Sequence, residues 1–135
     1  MTGDDDRTAR ARALFDIPFH RSHGIEIIEA TADHAETRIP FDDTLIGNPE
    51  IPAIHGGVIS ALADLTGAVP LVAGADGYTP TVDLRVDYLT HAGAATLRGE
   101  SWVRRRGESV GVADIEIRSG GQRCAVGKGV YKLDG

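Results

Sequence analysis

The sequence is poor in several residue types, and each scarcity excludes something. A single cysteine, Cys124, rules out an internal disulfide, and the first residues lack the apolar core of a signal peptide, so the cytoplasm is the expected compartment. Lys and Arg number 14 against 20 Asp and Glu, and the formal net charge of -6 argues against nucleic acid or an anionic membrane as the main partner. No stretch is expected to reach the roughly 18 to 20 apolar residues of a membrane span. What is present is ordinary: 135 residues, 41% hydrophobic and 25% charged, suit one domain with one core. Seventeen glycines without a repeat imply many tight turns between short elements.

Met1 to Asp6 is polar and acidic and reads as a frayed terminus whose aspartates favour the start of a helix. Arg7 to Phe15 predicts that helix, and Asp16-Ile17-Pro18 ends it. β-Branched residues between turn signals predict strands over Gly24 to Ala30 and Glu36 to Phe41, joined as a hairpin through Thr31 to His34. Phe41 to Ile54, with Gly47, Asn48, Pro49 and Pro52, reads as an irregular loop of the kind that carries binding groups. A long helix follows from His55, and Gly74 to Gly77 has loop composition. Pro80 to Leu89 sets Val82, Leu84, Val86 and Tyr88 against Thr81, Asp83, Arg85 and Asp87, the period of two of a half-buried strand. Thr96 to Arg105, Ser109 to Arg118 and Arg123 to Lys132 repeat the strand signal through hairpin connections, a meander. The order predicts an α+β fold in which an antiparallel sheet of about five or six strands curls around one long helix.

Helical phase lines up Val58, Leu62, Leu65, Val69 and Val72 for the sheet, and sets Gly57, Ala61, Asp64 and Ala68 on an opposite face nearly free of bulk. Such a face lets another backbone approach and puts Asp64 at a packed seam; the alternative is a solvated carboxylate on an amphipathic helix. Pro70 predicts a kink or a tightened last turn. Gly56-Gly57 permits close approach of a ligand, and first-turn N–H groups at the positive end of a helix can polarise a carbonyl; alternatively the loop simply needs glycine there. An N–H donor and a carboxylate are the parts that acyl hydrolysis requires. Gly56 and Asp64 lie about 12 Å apart along a helix, too far to act on one carbonyl within one chain. Two copies packed antiparallel across their small faces would join them, which predicts a two-fold dimer with composite sites.

On these residues the chain resembles the hotdog-fold acyl-CoA thioesterases, in the PaaI-like branch related to phenylacetic acid degradation and to 4-hydroxybenzoyl-CoA thioesterases. The likeness rests on His55-Gly56-Gly57, Leu62-Ala63-Asp64, Thr81 to Leu89 and a closing strand ending Gly127-Lys128-Gly129-Val130-Tyr131, and it covers about residues 20 to 133. It implies an N-terminal segment with a short helix over 1–19 and a hotdog thioesterase domain over 20–135. It further implies homodimers joined edge to edge, pairing into homotetramers. The implied reaction takes an acyl-CoA to free acid and coenzyme A. The Gly56 N–H would meet the thioester carbonyl, and Asp64 of the partner subunit would serve either as general base or as a nucleophile forming a mixed anhydride. Pro49 stands where relatives often carry a helper side chain, so Asn48 is the candidate for that role, or the helper is absent. Thr81 matches a position where a hydroxyl meets water or substrate, and Gly57 is grouped with it as substrate-binding; strand propensity alone also explains Thr81.

His55 is grouped with the catalytic residues, although ring hydrogen bonds that hold the loop are expected of it rather than proton transfer. No histidine or cysteine stands at ligand spacing with it, and His20 and His23 make no convincing site, so no metal or other cofactor is expected. Arg104, Arg105 and Arg106 form either a solvated hairpin end or the anchor for the coenzyme A phosphates, and Trp102 either packs in the core, the preferred reading, or lines the acyl pocket. Two other readings stand beside the hydrolase. One is a hotdog dehydratase or hydratase, whose catalytic histidine His55 does not resemble; the other is a non-catalytic acyl-CoA-binding domain. No nucleic-acid or membrane partner is expected.

Overall fold

The computed structural model describes residues 3–73 and 79–133; the expected loop over Gly74 to Gly77 lies outside the described residues. Helix α1 spans Gly3–Leu14 and begins earlier than its apolar pattern suggests, because Asp4, Asp5 and Asp6 occupy the first turn, where negative charge meets the positive helix end. A second short helix, α2 (Pro18–Ser22), was not expected. The proline that stops α1 also starts α2: its fixed φ and missing N–H suit a first helical position.

Strands β1 (Glu26–Ala30) and β2 (His34–Ile39) pair as the expected hairpin. The segment read as an irregular loop is more ordered than its composition suggests. A single 3-10 turn at Asp43–Leu45 leads into β3 (Ile46–Asn48) and β4 (Ile51–Ile54), a separate two-stranded hairpin. Its turn is closed by Asn48 Oδ1, which accepts the Glu50 N–H at 3.0 Å. The long helix α3 (Gly56–Ala73) follows, then β5 (Thr81–Tyr88), β6 (Leu97–Arg106), β7 (Val110–Ser119) and β8 (Gln122–Lys132). The main sheet has six strands in the order β1-β2-β6-β7-β8-β5, antiparallel throughout, and it wraps α3.

By length and composition α3 could cross a membrane, contrary to the expectation that no stretch could; 72% of it is buried inside the fold, as a core helix. It runs past Pro70 to Ala73. Proline has no N–H, so the Thr66 carbonyl loses its partner one turn back. The buried Ser101 of β6 replaces that partner, donating its hydroxyl to the Thr66 carbonyl at 2.6 Å. At the end of α3, Arg106 donates to the carbonyls of Pro70 and Leu71, both at 3.3 Å, and to that of Ala32 at 2.6 Å. A guanidinium there complements the negative end of the helix and caps it.

Trp102 is not in the core. It is 38% exposed and lies against the His34 ring, 5.8 Å between centroids. The helix-facing neighbours on β6 are Gly99 and Ser101, both buried, and a Cβ at position 99 would collide with the Thr37 and Thr66 hydroxyls. With the α3 backbone so close on that side, alternation sends the bulky residue outward.

Candidate active site

His55 is the N-cap of α3. Its carbonyl accepts the N–H groups of Val58 at 3.0 Å and Ile59 at 3.4 Å, and its ring Nδ1 accepts the Gly57 N–H at 2.8 Å. A backbone N–H can only donate, so Nδ1 carries no proton and the ring is held as a cap. A Cβ at position 57 would lie 2.9 Å from Nδ1, which is why the cap closes only over glycine. These bonds turn the donors of Gly57, Val58 and Ile59 back onto His55 and leave the Gly56 N–H as the first-turn donor not used in this way.

Tyr88, at the end of β5, covers the same turn. Its hydroxyl donates to the Gly56 carbonyl at 2.9 Å and pairs with the Ser60 hydroxyl. Its place as the last apolar residue of an alternating strand, facing the helix, was the available signal for this contact.

Asp64 sits two turns further along, half-buried. Its Oδ1 accepts the Thr81 hydroxyl at 2.6 Å, and its backbone carbonyl accepts the Tyr131 hydroxyl at 2.9 Å. Thr81 and Tyr131 are cross-strand partners of β5 and β8 and therefore share a face. Simple alternation would point Thr81 away from the helix. A register shift between Thr81 and Asp83 adds a residue, re-aims Thr81 at Asp64 and leaves Val82 61% exposed. The expected apolar face of β5 is corrected at Val82, which turns outward; Leu84 and Val86 are half-buried against the core, and Tyr88 keeps their face, half exposed over the first turn of α3. Burial first, then the charge of Asp64 and a hydrogen bond to it, push the Tyr131 phenol above its ordinary range.

Asp64 lines a cleft of about 400 Å3 together with Ser60, Ala61, Thr81, Leu84 and residues of the N-terminal segment. Thr79 lines it as well; it is 4% exposed, and its hydroxyl is the one buried side-chain oxygen among the described residues without a hydrogen-bond partner. Such an orphan marks a point where a bound polar group would be satisfied. Gly56 lines a different hollow, with Tyr88 and His91. The Asp64 cleft reaches the helix entry at Gly57, but among the described residues Gly56 and Asp64 line no common cavity of one chain.

Asn48 is exposed at the β3–β4 turn and lines neither the Asp64 cleft nor the Gly56 hollow. Arg104 pairs with Asp114 at 3.2 Å, Arg106 is spent on the end of α3, and Arg105 is exposed beside its hairpin. Donor atoms of His34, Glu36 and Glu100 lie within 4.8 Å of one another on the sheet face turned away from α3, where His34 Nε2 is 2.6 Å from Glu100.

A model of the thioesterase superfamily matches residues 52–126. YigI of Escherichia coli, a medium/long-chain acyl-CoA thioesterase, is 27% identical over 123 residues, covering 78% of each chain. A Shewanella oneidensis protein related to the thioesterase superfamily superposes with a TM-score of 0.84 at 30% identity, covering 96% of this chain and 97% of the other. The E. coli PaaI protein from the phenylacetic acid degradation operon has the same fold, with a TM-score of 0.87 at 24% identity and coverage of 99% and 97%.

Proposed function

The chain belongs to the thioesterase superfamily and is a thioester hydrolase, and from that premise we propose that it cleaves acyl-CoA at a site shared by two subunits. The observation that carries this reading is the separation of Gly56 and Asp64 into different hollows of one chain. The Gly56 N–H polarises the thioester carbonyl, and Asp64 of the partner subunit drives the attack. As general base, Asp64 takes a proton from water while the water oxygen bonds to the carbonyl carbon. The oxyanion rests on the Gly56 N–H until the C–S bond breaks and the thiolate leaves, to be protonated as coenzyme A. Because Thr81 occupies Oδ1, Oδ2 is the oxygen assigned to this work.

Subunit pairing is supported by the position of β5. It is an edge strand, and Val82, Tyr88 and Leu89 are exposed along it. Antiparallel pairing of two β5 edges would run two α3 helices past each other. The largely apolar cleft favours medium- or long-chain acyl groups, the class named for the E. coli relative.

Thiol release from a panel of acyl-CoAs tests the reaction, with Cys124 buried and silent toward the reagent. Asp64→Asn is expected to lower kcat by about 10²- to 10⁴-fold at unchanged Tm; near-normal turnover would sink the assignment. Gly56→Pro removes the N–H at a helix position that accepts proline, and is expected to be similarly inactive. Co-expressing the two variants separates shared from single-chain sites. Mixed dimers would each hold one intact site and restore about a quarter of normal activity, whereas sites within one chain would restore none.

A further inference from the structure

A second cavity, of about 620 Å3, adjoins the cleft that holds Asp64, and the two share three lining residues, Phe15, His20 and Leu65. Phe15 follows α1 and is half-buried. The His20 ring donates from Nδ1 to the Phe15 carbonyl at 2.9 Å, and the two rings lie 5.9 Å apart. Phe15, backed by His20 and facing Leu65 of α3, is therefore the partition between the two spaces.

The second cavity has charged groups at its rim, but they are already satisfied. Arg12 donates to the carbonyls of Ile27 at 2.9 Å and Ile28 at 3.0 Å, Arg21 pairs with Asp16 at 2.8 Å, and Arg38 pairs with Glu26 at 2.6 Å. What remains is an apolar floor of Ile25, Ile27, Leu65 and Phe15. That surface suits hydrocarbon rather than an anion.

We infer that Phe15 is the gate that sets acyl-chain length: chains that outgrow the cleft beside Asp64 must pass its ring to reach the second cavity. This rests on the thioesterase reading above, with the acyl group lying in that cleft. Phe15 directly follows α1, its N–H donating to the Ala11 carbonyl at 3.0 Å, and its half-buried ring packs against Leu65; a change of its side-chain rotamer would join the spaces. Each methylene admitted to an apolar wall is worth roughly fourfold in relative specificity.

The test compares dodecanoyl-CoA with octanoyl-CoA by kcat/KM, and the S-dodecyl and S-octyl thioethers of coenzyme A, which cannot be hydrolysed, by affinity. Phe15→Ala is expected to raise the long-to-short ratio by about tenfold in both measurements, the effect of between one and two of the four extra methylenes gaining an apolar wall, and Phe15→Trp to lower it. Each ratio is taken within one preparation, so a variant that folds less completely still reports. If wild type releases thiol and neither variant moves the ratios, the gate is overturned while the hydrolase stands. If no thiol is released but the thioether ratios shift in opposite directions, the gate stands and the catalytic reading fails. Unchanged thioether ratios without hydrolysis overturn both.

Discussion

The two halves of α3 are one continuous helix held in opposite ways. From Gly56 to Asp64 one side is open: Gly57 is exposed, and Ser60, Ala61 and Asp64 are only half-buried. From Leu65 to Ala73 every residue is buried. The small-residue stripe continues to Ala68, but there Leu71, Tyr131 and Leu133 enclose it, with Phe15 of the N-terminal segment packed against them. The sheet alone does not enclose a helix; α1 and the turn after it complete the cover over the second half and stop short of the first. The buried half holds the position of the half that carries the candidate chemistry.

Truncations should report this difference most strongly in the enclosed half. Leu71 is fully buried, and Leu71→Ala is expected to cost about 2–5 kcal/mol by removing apolar contacts and leaving a cavity. Urea unfolding would measure it, and a cost below about 1 kcal/mol would mean that this end of α3 is less closely packed than its burial implies. A smaller effect probes the proline. Ser101→Ala leaves the Thr66 carbonyl without its donor, an expected loss of about 1–3 kcal/mol. In a Pro70→Ala background the restored N–H at position 70 supplies a donor, so the same Ser101 change should cost markedly less. An additive double-mutant cycle would break the link between Pro70 and Ser101.

The contrast between the halves also explains what could be read beforehand. Periodicity located α3 and the β6–β7–β8 meander because each buries a regular face, and regular burial leaves a regular pattern. Alternation failed at the residue that matters most on β5. The extra residue at Val82 is a backbone event with no compositional mark, so Thr81 was singled out through resemblance to a family and not through its period. The β3–β4 hairpin was hidden by its own turn chemistry, since Gly47, Asn48, Pro49 and Pro52 read as loop before they read as strand ends. The arginine run shows the limit of charge patterns. Arg104, Arg105 and Arg106 are adjacent in sequence, yet Arg106 turns to the end of α3 while Arg104 pairs across to β7. Tyr131 marks the end of the closing strand in the family likeness, but its role and that of Ser101 are not legible in the sequence, because they depend on where the helix carbonyls lie.

The smallest effect tests how the buried half reaches Asp64. The Tyr131 hydroxyl donates to the Asp64 carbonyl from a buried position, and Gly67 and Gly129 make room for it, since a Cβ at either would collide with that hydroxyl. Tyr131→Phe is expected to cost only about 0.5–1.5 kcal/mol at neutral pH, one hydrogen bond. Its signature lies in alkali. Burial first, then the charge and hydrogen bonding of the Asp64 side chain, raise the folded-state pKa of Tyr131 above the ordinary tyrosine value of about 10. Above that value the unfolded chain releases the phenol proton while the folded chain keeps it. Stability is therefore fully present below about pH 10 and falls as pH rises toward the folded value, by up to about 1.4 kcal/mol per pH unit. Wild type should lose stability more steeply than Tyr131→Phe between about pH 10 and 11.5 in paired urea titrations. Parallel curves would mean that Tyr131 ionises as freely in the folded protein as in the unfolded chain, and that the contact between β8 and Asp64 is open to water.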